Sequence, residues 1–283
     1  IIVPDDVQGK IFVKDRAYDE LEYKKTVKDL EKMSFIKKTK TFGKIAVFEV
    51  SSPKDHFWTF SKSLSLKYQY VSPVEYELEV KNAKNIIVNC HYSPDPDSVG
   101  AALSMYQALK KLNKSVTIYS PGEIANNLAF LPAFKKVDVV EFSKVDYTQY
   151  DLFIALDSST WDNIVGNKEF LQPNIDMVVV DHHRSNLGYG SVNLIDKDCV
   201  STCEILKLMF DDWGLRIDVD LANTLLTGII GDSGAFRYPA TTHKTLTIAS
   251  ELMEIGADKD KIIFNLFQCT DYEVLKFWGL ALS

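Results

Sequence analysis

The sequence has little of what marks membrane, secreted or disulfide-bonded proteins. No apolar run approaches the ~20 residues that span a bilayer, and the first residues lack the basic start and apolar core of a signal peptide. The four cysteines show no Cys-x-x-Cys spacing, which favours free thiols in a reducing compartment. We therefore expect a cytoplasmic protein with no membrane partner.

Arginine is also scarce, since only Arg16, Arg184, Arg216 and Arg237 occur among 283 residues. The formal net charge of -7 argues against a protein dedicated to duplex DNA, which normally presents a basic face. The charge is uneven, because residues 1–80 hold 14 basic and 13 acidic side chains and residues 81–283 hold 18 and 26. This excess of carboxylates fits divalent-cation binding and fits a plain acidic surface equally well.

The pattern of the chain changes near residue 80 and predicts two domains, 1–80 and 81–283. The first reads as a small α+β extension with strands near Ile11–Val13 and Lys44–Val50, a helix from Tyr18 to Met33 and a linker from Ser72 to Glu79. No catalytic constellation occurs in it, so its role stays unassigned, and a protein-interaction role is one alternative.

The second domain alternates strands and helices. Strands are predicted at 85–90, 115–119, 137–141, 151–156 and 176–180, with a helix at 98–112. Alternation at this spacing requires crossover connections, and continuous apolar runs are typical of strands buried on both faces. After Asp181 the chain is predicted to be helical, at 203–213, 219–230, after Thr241-Thr242, 259–269 and 272–282. The fold class is therefore α/β, with a parallel sheet flanked by helices and a helical C-terminal part.

Acids and imidazoles follow three of these strands. The candidates are His91, Asp95, Asp97, Asp157 and His182, with Asp232 after a later helix. Taken singly, an Asp after a strand is often a helix cap, and a lone His is usually packed or exposed. Because the carboxyl ends of parallel strands meet at one edge, the set together indicates a metal site. Four carboxylates and two imidazoles favour Mn²⁺ or Mg²⁺ over Zn²⁺.

The spacing within this set favours two ions over one. Asp95 and Asp97 lie two residues apart in a Pro-constrained loop, so they can face different ions about 3.5–4 Å apart, with Asp157 between them. Phosphatases with an aspartate nucleophile also use Asp-x-Asp after a strand. They need the first Asp close to the strand end, whereas His91-Tyr-Ser-Pro94 intervenes here, so we set that alternative aside.

Four runs in this order resemble the motifs of the DHH phosphoesterase superfamily. They are His91-x-x-Pro94-Asp95-x-Asp97, then Asp157, then Asp181-His182-His183, then Gly231-Asp232-Ser233-Gly234. The runs Val200–Ile205 and Gly228–Thr242 are similar to those of its bacterial oligoribonuclease (nanoRNase) and pAp-phosphatase branch. The resemblance covers about residues 83–282.

The resemblance implies a manganese-dependent phosphoesterase, a cytoplasmic hydrolase acting on ester bonds. It would cleave short RNA as an exonuclease, pAp or linear dinucleotides to nucleoside monophosphates, by a two-metal hydroxide mechanism. Two Mn²⁺ would be the cofactors, with Mg²⁺ or Co²⁺ as substitutes. The sequence leaves the oligomeric state open, with a homodimer as one alternative. Alternatives are a cyclic-dinucleotide phosphodiesterase, a pyrophosphatase or polyphosphatase, and a non-catalytic nucleotide-binding module.

The resemblance also implies roles for single residues. His91, Asp95 and Asp232 would hold one ion, Asp97 and His182 the other, and Asp157 would bridge them. Asp181 would orient an imidazole, and His183 would contact the scissile phosphate or protonate the leaving oxygen. Arg237 would bind the developing charge, and Arg184 is a further candidate for phosphate contact. The superfamily's C-terminal DHHA1 domain, whose glycine-rich motif grips the substrate, is expected to be absent, so we expect an open site with weaker activity on longer substrates.

Overall fold

The computed structural model describes residues 8–14, 36–42, 45–51, 80, 82–269 and 272–282. The chain divides into two units, Ile1–Glu75 and Tyr76–Ser283. The helix predicted from Tyr18 to Met33 and the linker predicted from Ser72 to Glu79 lie outside the described residues.

The first unit contains a three-stranded antiparallel sheet of β1 (Gln8–Lys14), β2 (Ile36–Phe42) and β3 (Ile45–Ser51), in the order β1-β3-β2. The sequence predicted β1 and β3 but not β2, whose register shifts between Lys38 and Lys40. Lysines are characteristic of edge strands, where they oppose pairing with another chain, and they break the alternation by which a strand is recognised.

The second unit is built on a six-stranded parallel sheet in the order β6-β5-β4-β7-β8-β9. Its strands are β4 (Asn85–Asn89), β5 (Ser115–Ser120), β6 (Val137–Val139), β7 (Leu152–Leu156), β8 (Met177–Asp181) and β9 (Val192–Ile195). Every residue of β7 and β8 is buried, as a strand covered on both faces must be. The predicted parallel α/β fold is confirmed.

Strand β9 was not predicted, because the chain after Asp181 was expected to be helical. Its four residues pair in parallel with β8, from Val178↔Val192 to Asp181↔Ile195. All four are only partly buried, since β9 is the outer strand of the sheet. A run this short carries too little pattern to be recognised in the sequence.

Seven α-helices flank the sheet among the described residues of this unit. They are α1 (Pro96–Lys111), α2 (Trp161–Val165), α3 (Thr202–Asp212), α4 (Val219–Asp232), α5 (His243–Ile255), α6 (Lys259–Ile263), which continues as a π-helical turn (Phe264–Gln268), and α7 (Tyr272–Ala281). Short 3₁₀ turns lie at Asn126–Leu128, Phe134–Lys136, Phe142–Lys144 and Tyr147–Gln149. No helix in the described ranges is both long and apolar enough to cross a membrane.

The helix starts are fixed by side-chain caps. Ser201, Asp218 and Thr242 each accept a hydrogen bond from a backbone N–H in the first turn of α3, α4 and α5. Gly256 ends α5 in the left-handed conformation at φ 117°, as the sequence predicted.

The order of the strands reverses between β4 and β7. The chain runs outward from β4 through β5 to β6, then returns to β7 on the other side of β4. In doubly wound sheets the crevice at such a switch point, at the carboxyl ends of the strands, is where ligands bind. Just beneath it, the buried Asn89 side chain accepts from Leu156 N at 2.9 Å and donates to Leu156 O at 3.3 Å, which holds the two strands together.

Candidate metal centre

The loop after β4 places His91 and Asp95 side by side. Asp95 is the N-cap of α1, and its Oδ1 accepts from Asp97 N at 3.0 Å and Ser98 N at 2.9 Å. Its Oδ2 is left facing His91, 3.7 Å from Nε2. Asp95 is therefore a helix cap and a candidate ligand at once.

Asp97 is fully buried at the start of α1. Its Oδ2 accepts from Thr202 N at 2.6 Å and its Oδ1 from Cys203 N at 3.0 Å, so it faces the N-terminus of α3, which favours negative charge. Burial raises the pKa of Asp97 well above its usual value, and the nearby carboxylates of Asp157 and Asp232 raise it further. A bound cation would compensate this crowding of carboxylates.

Asp157 follows β7 and lies between the other groups. Its φ of 52° is in the left-handed region, which Asp tolerates better than most residues and which is common at functional sites. Its Oδ2 lies 3.5 Å from His91 Nε2, and its Oδ1 lies 3.5 Å from His182 Nε2. Burial acts to raise the pKa of Asp157, but the two imidazoles hold it below the usual range. The two carboxylate oxygens thus point to two different groups of candidate ligands.

His182 provides a test of whether a cation fits. Its buried Nε2 lies 3.2 Å from Asp232 Oδ2 and 3.5 Å from Asp157 Oδ1, yet it makes no hydrogen bond to any described residue. Burial lowers the pKa of His182, but the adjacent carboxylates raise it to about 11. An imidazole nitrogen that is aimed at carboxylate oxygens without bonding to them has the surroundings of a metal ligand, so the residues fit a divalent ion.

His183 is held by Asp181. Its Nδ1 lies 2.7 Å from Oδ1 of the fully buried Asp181, and this contact raises the pKa of His183. Asp181 Oδ2 accepts in turn from Asn186 Nδ2 at 2.7 Å. A carboxylate acceptor favours the tautomer with the proton on Nδ1, so His183 is left with Nε2 available on a ring that is partly exposed to solvent.

The six predicted ligands form two groups whose donor atoms lie within 4.8 Å of one another: His91, Asp95 and Asp157 in one, and Asp97, His182 and Asp232 in the other. A third group that meets the same distance joins Asp157 and His182 to Asp181 and His183. The resemblance implied that Asp232 would hold an ion with His91 and Asp95, whereas its carboxylate lies near the donor atoms of Asp97 and His182; which ion Asp232 would hold stays a prediction. Asp232 ends α4, which packs along α1 next to Asp97. The order of the motifs in the sequence does not predict how close Asp232 lies to Asp97.

The two arginines do not lie in either group. Arg237 is exposed; its Nε donates to Gly234 O at 2.6 Å, and its guanidinium carbon lies 5.9 Å from the centre of the Phe267 ring. Arg184 is exposed directly after His183. Their roles in binding phosphate stay predictions.

Sequence reasoning missed the uncharged residues that hold the ligands in place. Asn89, Asn186 and Thr202 are all buried. Thr202 donates to the candidate ligand Asp157, and Asn186 donates to Asp181, which holds His183. Asn89 bonds to Leu156, on the strand that precedes Asp157. A search for acids and imidazoles passes over them, and the only available signal was their position beside the recognised motifs.

Fold and site together define a doubly wound α/β protein with a carboxylate and imidazole centre suited to a divalent metal ion. The model of the family described as "DHH family, N-terminal domain" matches residues 85–229. The chain belongs to this family, which confirms the resemblance seen in the motifs.

Two curated relatives and one solved structure extend this finding. The bifunctional oligoribonuclease and PAP phosphatase NrnA of Thermus thermophilus is 32% identical over 173 residues, 60% of this chain and 50% of that protein. A probable manganese-dependent inorganic pyrophosphatase of Bacillus cereus is 28% identical over 182 residues, 63% of this chain and 58% of that protein. The chain thus spans between half and three fifths of the length of these relatives.

The solved structure is that of an exopolyphosphatase-related protein from Bacteroides fragilis. It superposes with a TM-score of 0.66 at 23% identity and covers 74% of this chain and 64% of that one. At this identity the likeness establishes the shared fold.

Proposed function

We propose that the chain is a phosphoesterase dependent on two divalent ions, preferably Mn²⁺. It would hydrolyse short oligonucleotides, pAp or linear dinucleotides and release nucleoside monophosphates. The observation that carries this proposal is the position of Asp157, whose two oxygens face His91 on one side and His182 on the other. A carboxylate placed in this way can bridge two ions.

The proposed ligand sets follow the two groups in the structure. His91 and Asp95 would hold the first ion, and Asp97, His182 and Asp232 the second, with Asp157 shared. When bound, such a pair supplies hydroxide at neutral pH and neutralises the phosphoryl oxygens.

The remaining polar residues would act on the substrate. His183, whose pKa is raised by Asp181, would act as the imidazolium, with Nδ1–H bonded to Asp181 and the Nε2 proton donated to the leaving oxygen. Arg237 and Arg184 are exposed and would contact substrate phosphates, because guanidinium groups bind phosphate through paired hydrogen bonds. Short RNA or nucleotides would thus be the partners of this site.

The relatives support the choice of substrate and also provide one alternative. The name of the Thermus thermophilus relative gives oligoribonucleotides and PAP, whereas the Bacillus cereus relative is named a pyrophosphatase. Inorganic pyrophosphate is therefore the second candidate substrate.

The test is hydrolysis in Mn²⁺ of pAp, a linear dinucleotide, a cyclic dinucleotide and pyrophosphate. We expect turnover of pAp and of the linear dinucleotide. Asp157→Asn should lower it by more than about 100-fold, beyond the loss typical of residues that only support a ligand. The matched control is Asp176→Asn, because Asp176 is exposed at the opposite end of β8, and it should keep full activity.

The other outcomes separate the alternatives. Hydrolysis of pyrophosphate alone would replace the proposed activity with the second candidate. Hydrolysis of the cyclic dinucleotide alone would assign a cyclic-dinucleotide phosphodiesterase. Nucleotide binding without turnover of any substrate would contradict the enzyme and leave a binding module.

A further inference from the structure

Thr202 contacts two of the three carboxylates of the proposed second ion site, Asp97 and Asp157. It is the first residue of α3 and is fully buried. Its backbone N–H donates to Asp97 Oδ2 at 2.6 Å, and its hydroxyl donates to Asp157 Oδ1 at 3.1 Å. Asp97 and Asp157 lie 60 positions apart in the chain and on different elements, so Thr202 is a direct link between them.

The position of Thr202 is itself well fixed. Ser201 caps α3 by accepting from Glu204 N at 3.1 Å, and the Glu204 carboxylate accepts from Val200 N at 2.9 Å. The same carboxylate accepts from the Thr245 hydroxyl at 3.1 Å, which ties the start of α3 to the first turn of α5. A residue held from both sides in this way can set the position of its own partners.

The hydroxyl of Thr202 acts on one side of Asp157 only. It donates to Oδ1, the oxygen that faces His182, whereas Oδ2 faces His91. Asp97, the other partner of Thr202, belongs to the same group as His182 and Asp232. The contacts of Thr202 are therefore directed to the second ligand group and not to His91 or Asp95.

We propose that Thr202 is a positioning residue that fixes the spacing of Asp97 and Asp157 and thereby sets the affinity of the second ion. This inference rests on the proposed metal centre. Without the hydroxyl, Asp157 Oδ1 loses its fixed donor and can rotate away from the second group. Asp97 keeps its two bonds, because both come from backbone N–H groups. Partners that orient metal ligands typically contribute 10–100-fold in metal affinity, and we expect a loss of about this size.

The test is Mn²⁺ titration of the full chain, with free Mn²⁺ followed by electron paramagnetic resonance. Thr202→Val removes the hydroxyl at nearly constant shape, and Thr202→Ser retains it. The matched control is Thr227→Val, because Thr227 is equally buried but its hydroxyl donates to Asn223 O in its own helix and to no other described residue. Asp95→Asn and Asp232→Asn identify which class of bound Mn²⁺ belongs to each group, and melting of the metal-free proteins monitors folding.

The wild-type chain and Thr227→Val should bind two Mn²⁺. Thr202→Val should weaken, by about 10–100-fold, the class that Asp232→Asn removes, and Thr202→Ser should restore it. The inference would be overturned by a Thr202→Val titration that matches wild type, by a loss in the class that Asp95→Asn removes, or by a loss of both classes together with the melting transition. A wild-type chain that binds fewer than two Mn²⁺ would instead contradict the proposed metal centre.

Discussion

At the scale of the residue, several side chains in this centre serve the fold and the site together. Asp95 caps α1 through one oxygen and faces His91 with the other. Asp157 takes a left-handed backbone conformation after β7 and so reaches two groups of ligands. Each of these acids has a structural position and is also a candidate ligand, because its two carboxylate oxygens face different partners.

Asn186 provides a prediction at this scale, because it binds the carboxylate that holds His183. Asn186→Leu removes the donor to Asp181 Oδ2 and to Ser158 O. We expect a loss of about 1–3 kcal/mol in stability and a 10–100-fold fall in kcat with little change in KM. Denaturant unfolding and steady-state hydrolysis measure the two effects.

The control for that variant is Asn193→Leu. Asn193 also holds a loop through its side-chain amide, by two bonds to Gly190, but it does not touch Asp181. It should lose stability and keep kcat. An Asn186→Leu protein with unchanged kcat would show that Asp181 needs no such support.

The clustering of the candidate ligands could be predicted from sequence, whereas the residues that support them could not, for a physical reason. The acids and imidazoles follow strands in recognisable motifs, so their gathering at one edge follows from the parallel sheet. Asn89 and Thr202 bind partners 67 and 45 positions away, and such pairings depend on strand order and helix packing. The proximity of Asp232 to Asp97 and His182 depends on packing in the same way, because α4 packs against α1.

At the scale of the element, helices α1, α3 and α4 meet closely at Asp97. Gly228 of α4 makes this approach possible. A Cβ at this position would lie 2.4 Å from Asp97 Oδ1 and 2.4 Å from Cys203 Sγ, closer than real contacts allow. The packing of α4 against α1 and α3 therefore leaves no free space beside Asp97, a candidate ligand.

Gly228→Ala should therefore reduce both stability and Mn²⁺ affinity. An alanine in mid-helix would by itself favour the helix by about 1 kcal/mol, but the clash with Asp97 and the α3 N-terminus outweighs this gain. Gly279→Ala in α7 is the matched control, since a Cβ there meets nothing within 4 Å, and it should be neutral or stabilising. Thermal melting and Mn²⁺ titration of both variants check the prediction. Equal melting temperatures and equal Mn²⁺ affinities of the two variants would show that α1 and α4 can separate without loss of stability.

Asp218, the N-cap of α4, predicts that the stability of the fold depends on pH. Burial acts to raise the pKa of Asp218, but bonds from Lys111 and from Leu221 N hold it below the usual value. A folded-state pKa below the unfolded value of about 3.9 gives stability that is present above that pH and is lost as the pH falls through the folded-state pKa.

Asp218→Ala should accordingly cost about 1 kcal/mol at pH 7, and its difference from wild type should shrink below about pH 4. Urea unfolding at both pH values measures this difference. Asp198→Ala removes an exposed carboxylate from a loop and should change the free energy of unfolding by less than about 0.5 kcal/mol at either pH. A penalty for Asp218→Ala that is independent of pH would contradict the role of the ionised cap.

Elements with a strong pattern were predicted to within a few residues, and weakly patterned ones were not. Buried strands such as Leu152–Leu156 are continuous apolar runs, and α5 has a cap at each end. Strands β2 and β9 were missed because the first is rich in lysine and the second has four residues. Helix α2, with five residues, is also too short for a helical period to show.

At the scale of the whole molecule, the doubly wound sheet turns a chain of separate motifs into one centre. The candidate ligands span residues 91–232 and come from the segments that follow strands β4, β7 and β8 and from helices α1 and α4. A cation bound among them would add a further link between these elements, so metal binding should stabilise the entire unit.

Saturating Mn²⁺ should raise the melting temperature of the metal-free chain. At a free concentration 100 times the Kd, one site contributes about 2.7 kcal/mol, which corresponds to about 5–10 °C for a unit of this size. Excess chelator should reverse the shift, and Asp157→Asn should reduce it. An unchanged melting temperature at saturating Mn²⁺ would show that the carboxylates do not hold the ion in the folded state.

Anomalous diffraction from crystals of the chain grown with Mn²⁺ shows directly whether Asp157 bridges two ions. Two peaks about 3.5–4 Å apart are expected. One should contact His91 and Asp95, the other should contact Asp97, His182 and Asp232, and Asp157 should contact both. A single peak, or ions bound away from Asp157, would contradict a two-ion centre bridged by Asp157.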